Sequence, residues 1–186
     1  MFNLSLSNVQ CMKSFLLKIK LIEYIKIELP ISKVDFVQKL ASVTDKGETG
    51  MFAGAFDIFS SGKNELKGVV SLDGFRIRRR RRIFETNMNM AIATGTFKET
   101  DSGLVIHTKI NGFNNFFILY YVLLVFVYGM IASLMALSDQ NTEFIIFLFL
   151  VIHAVFMFLI PYFFMRSAAR KLKHELEREF FYLTKR

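Results

Sequence analysis

Two uncharged apolar runs, Phe116–Leu137 and Phe144–Met165, constrain this chain more than anything else in it. Each is 22 residues long and holds no Asp, Glu, Lys or Arg. As a helix, such a run rises about 33 Å, enough to cross a hydrocarbon layer of about 30 Å. A soluble core helix rarely continues so far without a charge, and here two runs stand back to back. They predict a transmembrane helical hairpin over 113–165, with lipid as its partner. Hydrophobic residues make up 53% of the 186, and these runs carry the excess. Before Asn111 the chain mixes polar and apolar residues as an ordinary domain does.

Charge sets the expected topology. The link between the runs, Ser138-Asp139-Gln140-Asn141-Thr142-Glu143, has two acids and no base. Beyond the second run come Arg166, Arg170, Lys171, Lys173, Arg178, Lys185 and Arg186. Lys and Arg resist translocation, so the basic tail stays inside. The flank before the first run, with Lys98, Glu99, Asp101 and Lys109, is nearly balanced and leaves the decision to the tail. Both termini are therefore expected in the cytoplasm, with the hairpin in the inner (plasma) membrane.

Residues 1–10 carry no basic leader region, and the apolar stretch Phe15–Ile27 is broken by Lys18, Lys20, Glu23 and Lys26. That is unlike a secretory signal. Cys11 is the single cysteine, preceded by Asn8-Val9-Gln10 rather than a lipid-attachment motif. One cysteine excludes an intrachain disulfide and a thiolate metal site. The N-terminal part is expected to remain in the cytoplasm.

From Ile22 to Ile110 the dominant period is two, which predicts strands. Ile25, Ile27 and Leu29 alternate with Lys26 and Glu28, and Pro30 ends that strand. Ser32 then caps a short helix, with Asp35 at the capping-box position and Val34, Val37, Leu40 and Ala41 as its apolar face. Further strands are expected near 51–59, 65–72, 75–84, 88–98 and 104–110. The punctuation between them is Ser60-Ser61-Gly62-Lys63-Asn64, Asp73-Gly74 and Thr100-Asp101-Ser102-Gly103. Asp-Gly between alternating runs signals a tight hairpin. The expected fold class is thus an α+β membrane protein. A β-rich domain over 1–112, an antiparallel sheet or partial barrel with one short helix, precedes the hairpin. A helical tail over 166–186 follows, with Leu172, Leu176, Phe180 and Leu183 as an apolar face that prolongs the second helix and packs on the β domain or joins subunits.

The segment Gly74-Phe75-Arg76-Ile77-Arg78-Arg79-Arg80-Arg81-Arg82-Ile83-Phe84 is the most unusual. On a strand, Arg76, Arg78, Arg80 and Arg82 share one face at steps of about 7 Å. Arg79 and Arg81 fall on the face of Phe75, Ile77 and Ile83. The acids nearest in sequence, Glu85, Asp73 and Asp57, are too few to neutralise the run. Three readings stand: an exposed basic edge that blocks sheet pairing, a contact with anionic lipid, or a site for a phosphate-bearing ligand. For the last, arginine forks pair bidentately with phosphate, and the spacing matches successive backbone phosphates. Phe52, Phe56, Phe59, Phe75, Phe84 and Phe97 are the aromatic residues nearby, most of them core candidates.

In the first apolar run Gly129, Ala132, Ser133 and Ala136 recur at helical spacing, a small-residue stripe that permits close helix approach. It is expected to serve both the hairpin and self-association. His153 lies mid-way along the second run. An ionisable group there is a functional candidate, although a neutral imidazole bonded to Ser133 or Tyr128 would be structural. Pro161 is expected to kink the helix.

Nothing here reads as an enzyme or calls for a cofactor. The three histidines, His107, His153 and His174, sit in separate elements. No phosphate loop, nucleophile elbow or metal-spaced cluster is present, and Gly50 and Gly54 make no dinucleotide fingerprint.

A small β domain joined to two membrane helices, with the basic Arg76–Arg82 run, resembles the two-transmembrane, β-rich effectors of bacterial antiphage defence. The resemblance is architectural and covers most of the chain. Its order, β domain first and helices last, is closer to a Hailong-type channel component than to members that begin with their helices. The resemblance implies an oligomer, for which a tetramer is expected, that perturbs the inner membrane. It also implies a nucleotide or oligonucleotide ligand made by a partner nucleotidyltransferase. The alternative is a membrane-anchored interaction module with no channel activity.

Overall fold

The computed structural model describes residues 3–50, 64–80, 90–114, 116–137 and 144–185, with the backbone alone over 3–10. The elements are α1 (Asn3–Lys18), β1 (Ile22–Leu29), α2 (Lys33–Ser42), β2 (Thr44–Lys46), β3 (Leu66–Val70), β4 (Gly74–Arg79), β5 (Ile92–Thr100), β6 (Gly103–Asn111), α3 (Phe116–Leu137) and α4 (Phe144–Lys185). The strand expected at 51–59, Arg81, Arg82 and the 138–143 link lie outside the described residues.

Alternation of apolar and polar residues produces a sheet with one dry face. Among the described residues it has six strands in the order β1-β6-β5-β4-β3-β2. Pairing is antiparallel from β1 to β3, as expected. The outer pair β2–β3 is parallel instead. A parallel pair needs a long return connection, and residues 47–65 are long enough to supply it. The β3–β4 turn is centred on Leu72-Asp73, one residue earlier than expected, and Ser71 N–H bonds to Gly74 C=O at 2.8 Å. Gly74 opens β4 because β5 crosses close by: a Cβ there would stand 2.3 Å from the Gly95 carbonyl oxygen.

Two helices cover the dry face, not one. Ile25, Leu29, Phe75, Ile77, Ala93, Leu104, Ile106 and Ile110 are buried beneath α2 and the second half of α4. Ser32 caps α2 as its sequence predicts, accepting from Asp35 N–H at 3.2 Å and donating to the Asp35 carboxylate at 2.7 Å. The helix turns Phe36 and Leu40 inward, while Val34 and Ala41 are exposed. Phe36 wins the core because its ring meets Phe97 and Phe180 edge-on at 5.6 and 5.3 Å. The apolar face of the tail is confirmed: Leu172, Leu176, Phe180 and Leu183 are all buried on the sheet.

Helix α4 is a single element of 42 residues that continues through Pro161. Its first half and α3 leave the domain side by side, and both are long and apolar enough to cross a membrane. Only 11% and 6% of their most apolar stretches are buried, which separates them from the core helices of a soluble protein.

The helix α1 has no counterpart in the expectations, because lysines interrupt its apolar pattern. Its end is fully capped. Lys20 adopts a left-handed φ of 58°, Leu21 N–H bonds to Leu16 C=O at 2.9 Å, and Lys20 N–H bonds to Leu17 C=O at 3.0 Å. That is a Schellman motif. Leu16 and Leu21 then pack with Ile22, Phe117 and Met165 in a second cluster, where the sheet domain meets the roots of α3 and α4.

Candidate functional site: a basic sheet face and its link to the apolar hairpin

The sheet face opposite α2 and α4 carries the polar half of each strand's alternation. Register places Tyr24, Lys109, Thr94, Arg76 and Val69 in one row across β1, β6, β5, β4 and β3. A second row holds Lys26, His107 and Thr96, and Lys98 lies beyond it on β5. Strands stand about 4.8 Å apart, so Lys109 and Arg76, two strands removed, are about 10 Å from each other at Cα. Arg76, Lys98 and Lys109 have no acidic partner among the described residues. The acids on these strands are engaged: Glu28 binds Lys26 at 2.7 Å and Asp45 binds Arg80 at 3.0 Å. The Lys26 ammonium beside Glu28 holds its carboxyl below the usual range.

The arginine run is divided among three environments. Arg76 is exposed on the open face. Arg78, on the same face, is buried and donates from Nε to the Glu48 carbonyl at 3.3 Å. Arg80 is nearly buried against Asp45. Arg79 projects to the other side and forms an ion pair with Glu175 of α4. Among the described residues, Asp45 and Glu175, far away in sequence, pair with Arg80 and Arg79; Asp57 and Glu85 lie outside the described residues. Register and helix packing bring them in. Of the expected stacking aromatics, Phe75 and Phe97 belong to the core, and Phe52, Phe56, Phe59 and Phe84 fall outside the described residues. Tyr24 is the aromatic ring on the open rows. Lys26, Lys98, His107 and Lys109 were not singled out by sequence because no run contains them. Their alternation with apolar neighbours was the available signal.

Along the hairpin, a tyrosine seam joins the helices. Tyr120 and Tyr121 donate to the Met157 and Phe158 carbonyls at 3.1 and 3.2 Å, and the Tyr121 ring stacks on Phe158 at 5.7 Å. Tyr128 Oη lies 2.6 Å from His153 Nδ1, one of the two partners the sequence offered. The small-residue stripe is elsewhere. Gly129, Ala132, Ser133 and Ala136 are all exposed, and a Cβ on Gly129 would meet nothing within 4 Å. The expectation that this stripe closes the hairpin is therefore corrected: larger side chains at 117, 121, 124 and 128 face α4, and the stripe is rotated away from them.

No family model, curated protein or solved structure matches this chain.

Proposed function

We propose that the chain is an oligomeric membrane effector in which the basic sheet face receives a phosphate-bearing ligand and α4 carries the response into a transmembrane hairpin. The observation that carries this reading is the continuity of α4. One helix is bound to the arginine strand through Arg79–Glu175, buried in the domain core through Leu172, Leu176 and Phe180, and prolonged without interruption into the apolar hairpin. A change at β4 thus acts on a lever that ends in the membrane. The membrane placement is supported by the exposed apolar surface of α3 and α4. Burying each large apolar side chain is worth about 1.5–3 kcal/mol, and lipid is the solvent that recovers it. The basic tail then favours a cytoplasmic sheet domain and an inner-membrane location.

Two helices per chain cannot enclose an aqueous path, so conduction requires several copies, and we take four as the working number. The ligand class follows from the face: separate cations on adjacent strands with one aromatic ring fit a phosphate-rich ligand read through its charges more than through base stacking. A nucleotide or short oligonucleotide from a partner nucleotidyltransferase in antiphage defence meets that description. The tethered interaction module is the second reading, favoured by the scarcity of polar side chains along α3 and the first half of α4.

The test uses the full chain in liposomes loaded with an ion-sensitive dye. Nucleotides and short oligonucleotides should change the leak, and Arg76→Gln with Lys109→Gln should weaken that response about tenfold and lower its salt dependence. Tight liposomes with a bound ligand would favour the tethered module, and no binding would end the receptor reading.

A further inference from the structure

The root of the hairpin holds a second cationic cluster that the sheet face does not explain. Tyr162, on the turn of α4 that leaves the apolar run, donates from Oη to the Ile19 carbonyl at 3.3 Å. Arg166, one turn on, donates from Nη1 to the same Tyr162 Oη at 3.0 Å. Among the described residues its Nε is buried with no hydrogen-bond partner, and no acid pairs with its guanidinium. Lys20, next to Ile19 in the chain, is exposed on the left-handed cap of α1. The free acid closest in sequence, Glu23, is taken by Lys173 at 3.1 Å. A half-buried guanidinium with an unpartnered Nε, close in the fold to the Ile19 carbonyl that precedes exposed Lys20, suits a tetrahedral oxyanion.

The surroundings say which oxyanion. Met12, Phe15 and Leu16 on α1 and Ile19 just past its end fall at i, i+3, i+4 and i+7, one helical stripe. Leu16 and Ile19 pack into the junction with Phe117 and Tyr162, whereas Met12 and Phe15 are 52% and 59% exposed. Lys13 and Lys18 flank them. The stripe thus has an apolar exposed part with lysines at its border, as in a helix lying in a headgroup layer, and its buried part packs at the root of α3.

We infer that Arg166, positioned by Tyr162, binds the phosphate of an anionic phospholipid together with Lys20, with α1 resting in the headgroup region beside it. This rests on the transmembrane reading of α3 and α4. A bound phosphate would tie α1, the sheet domain and α4 together at the level of the bilayer surface, so lipid composition becomes a determinant of how firmly the lever is held.

The experiment reconstitutes the full chain into vesicles of phosphatidylcholine alone or with 30% phosphatidylglycerol (about one anionic lipid in three, so that charge preference is readable). Retention of each lipid is read by native mass spectrometry. Wild type should keep phosphatidylglycerol in preference to phosphatidylcholine. Arg166→Gln and Lys20→Gln should each reduce that preference about fivefold, and Lys46→Gln, on the far edge of the sheet, should not. Unchanged preference in both variants overturns the inference, as does an equal loss in Lys46→Gln. A fall in thermal stability in both vesicle types with the preference intact assigns Arg166 a purely structural role and also overturns it. Inorganic phosphate that stabilises the detergent-solubilised protein as strongly as phosphatidylglycerol overturns the lipid assignment. If neither vesicle retains the protein after an alkaline wash, the membrane reading itself fails.

Discussion

Arg79 on β4 and Glu175 on α4 are joined in an ion pair, each about four-fifths buried, across a span of 96 residues. The pair fixes the helix that enters the hairpin against the strand that carries the arginine run. An arginine on the dry side of the sheet would otherwise be costly, because a buried charge without a partner loses its hydration for nothing. Leu172 and Leu176, on either side of Glu175, supply the apolar packing that keeps the pair aligned.

Replacing Glu175 by Gln should therefore destabilise the domain by about 1–2 kcal/mol, less than a fully buried pair would lose because both groups retain some solvent contact. Thermal unfolding of the full chain in mild detergent gives the number. Arg79→Met combined with Glu175→Leu should recover part of it, since neither member of the pair is then left facing a vacant partner. An additive double variant would deny the coupling.

Lys20→Gly should raise stability by about 0.5–1 kcal/mol. A left-handed φ of 58° costs a side chain with a Cβ more than it costs glycine. The same substitution removes one cation from the junction, so the melting temperature and the phosphatidylglycerol preference should move in opposite directions. Loss of stability would mean that the lysine side chain itself holds the α1–β1 turn.

How much of this was legible in the sequence depends on the range of the interaction. The starts of both apolar helices, the Ser32 cap, the inward Ile25 and Leu29 and the packing stripe of the tail all follow from local periodicity. The partners of the arginines do not. Asp45 and Glu175 reach them through sheet order and the path of α4, which no local pattern encodes. Helix α1 was hidden because its stability comes from a cap and a few contacts with the hairpin roots, not from a clean amphipathic stripe. The basic face was hidden for a similar reason, being assembled one cation per strand.

Gly112 is where the sheet passes into the hairpin. Its N–H bonds to Leu21 C=O at 2.8 Å, and a Cβ would stand 2.7 Å from the Met165 carbonyl oxygen and 2.9 Å from Ala169 Cβ. Neither backbone nor a buried alanine yields easily. Gly112→Val should cost about 1–3 kcal/mol through overpacking and should loosen the junction. Limited proteolysis near 112–115 should speed up relative to cleavage elsewhere, and an unchanged pattern would show that α4 moves aside without penalty.

The last prediction concerns the stripe of Gly129, Ala132, Ser133 and Ala136. Among the described residues the stripe is exposed: Gly129 faces open space, and Ser133 Oγ returns to the Gly129 carbonyl at 2.8 Å. The hairpin is held instead by the tyrosine seam and by Tyr128–His153. The two features can therefore be separated by mutation. Ser133→Leu should leave folding and the melting temperature of the monomer unit nearly unchanged, yet lower the oligomeric state in mild detergent, because a large side chain keeps neighbouring helix backbones apart. Tyr128→Phe should do the reverse, weakening the hairpin by about 0.6 kcal/mol, the average for a hydrogen bond between membrane helices, without dissociating the assembly. Mass photometry of both variants beside wild type decides. If Ser133→Leu keeps the wild-type mass, the stripe is a lipid-facing surface and self-association, with any conductance it supports, must be built from another part of the hairpin.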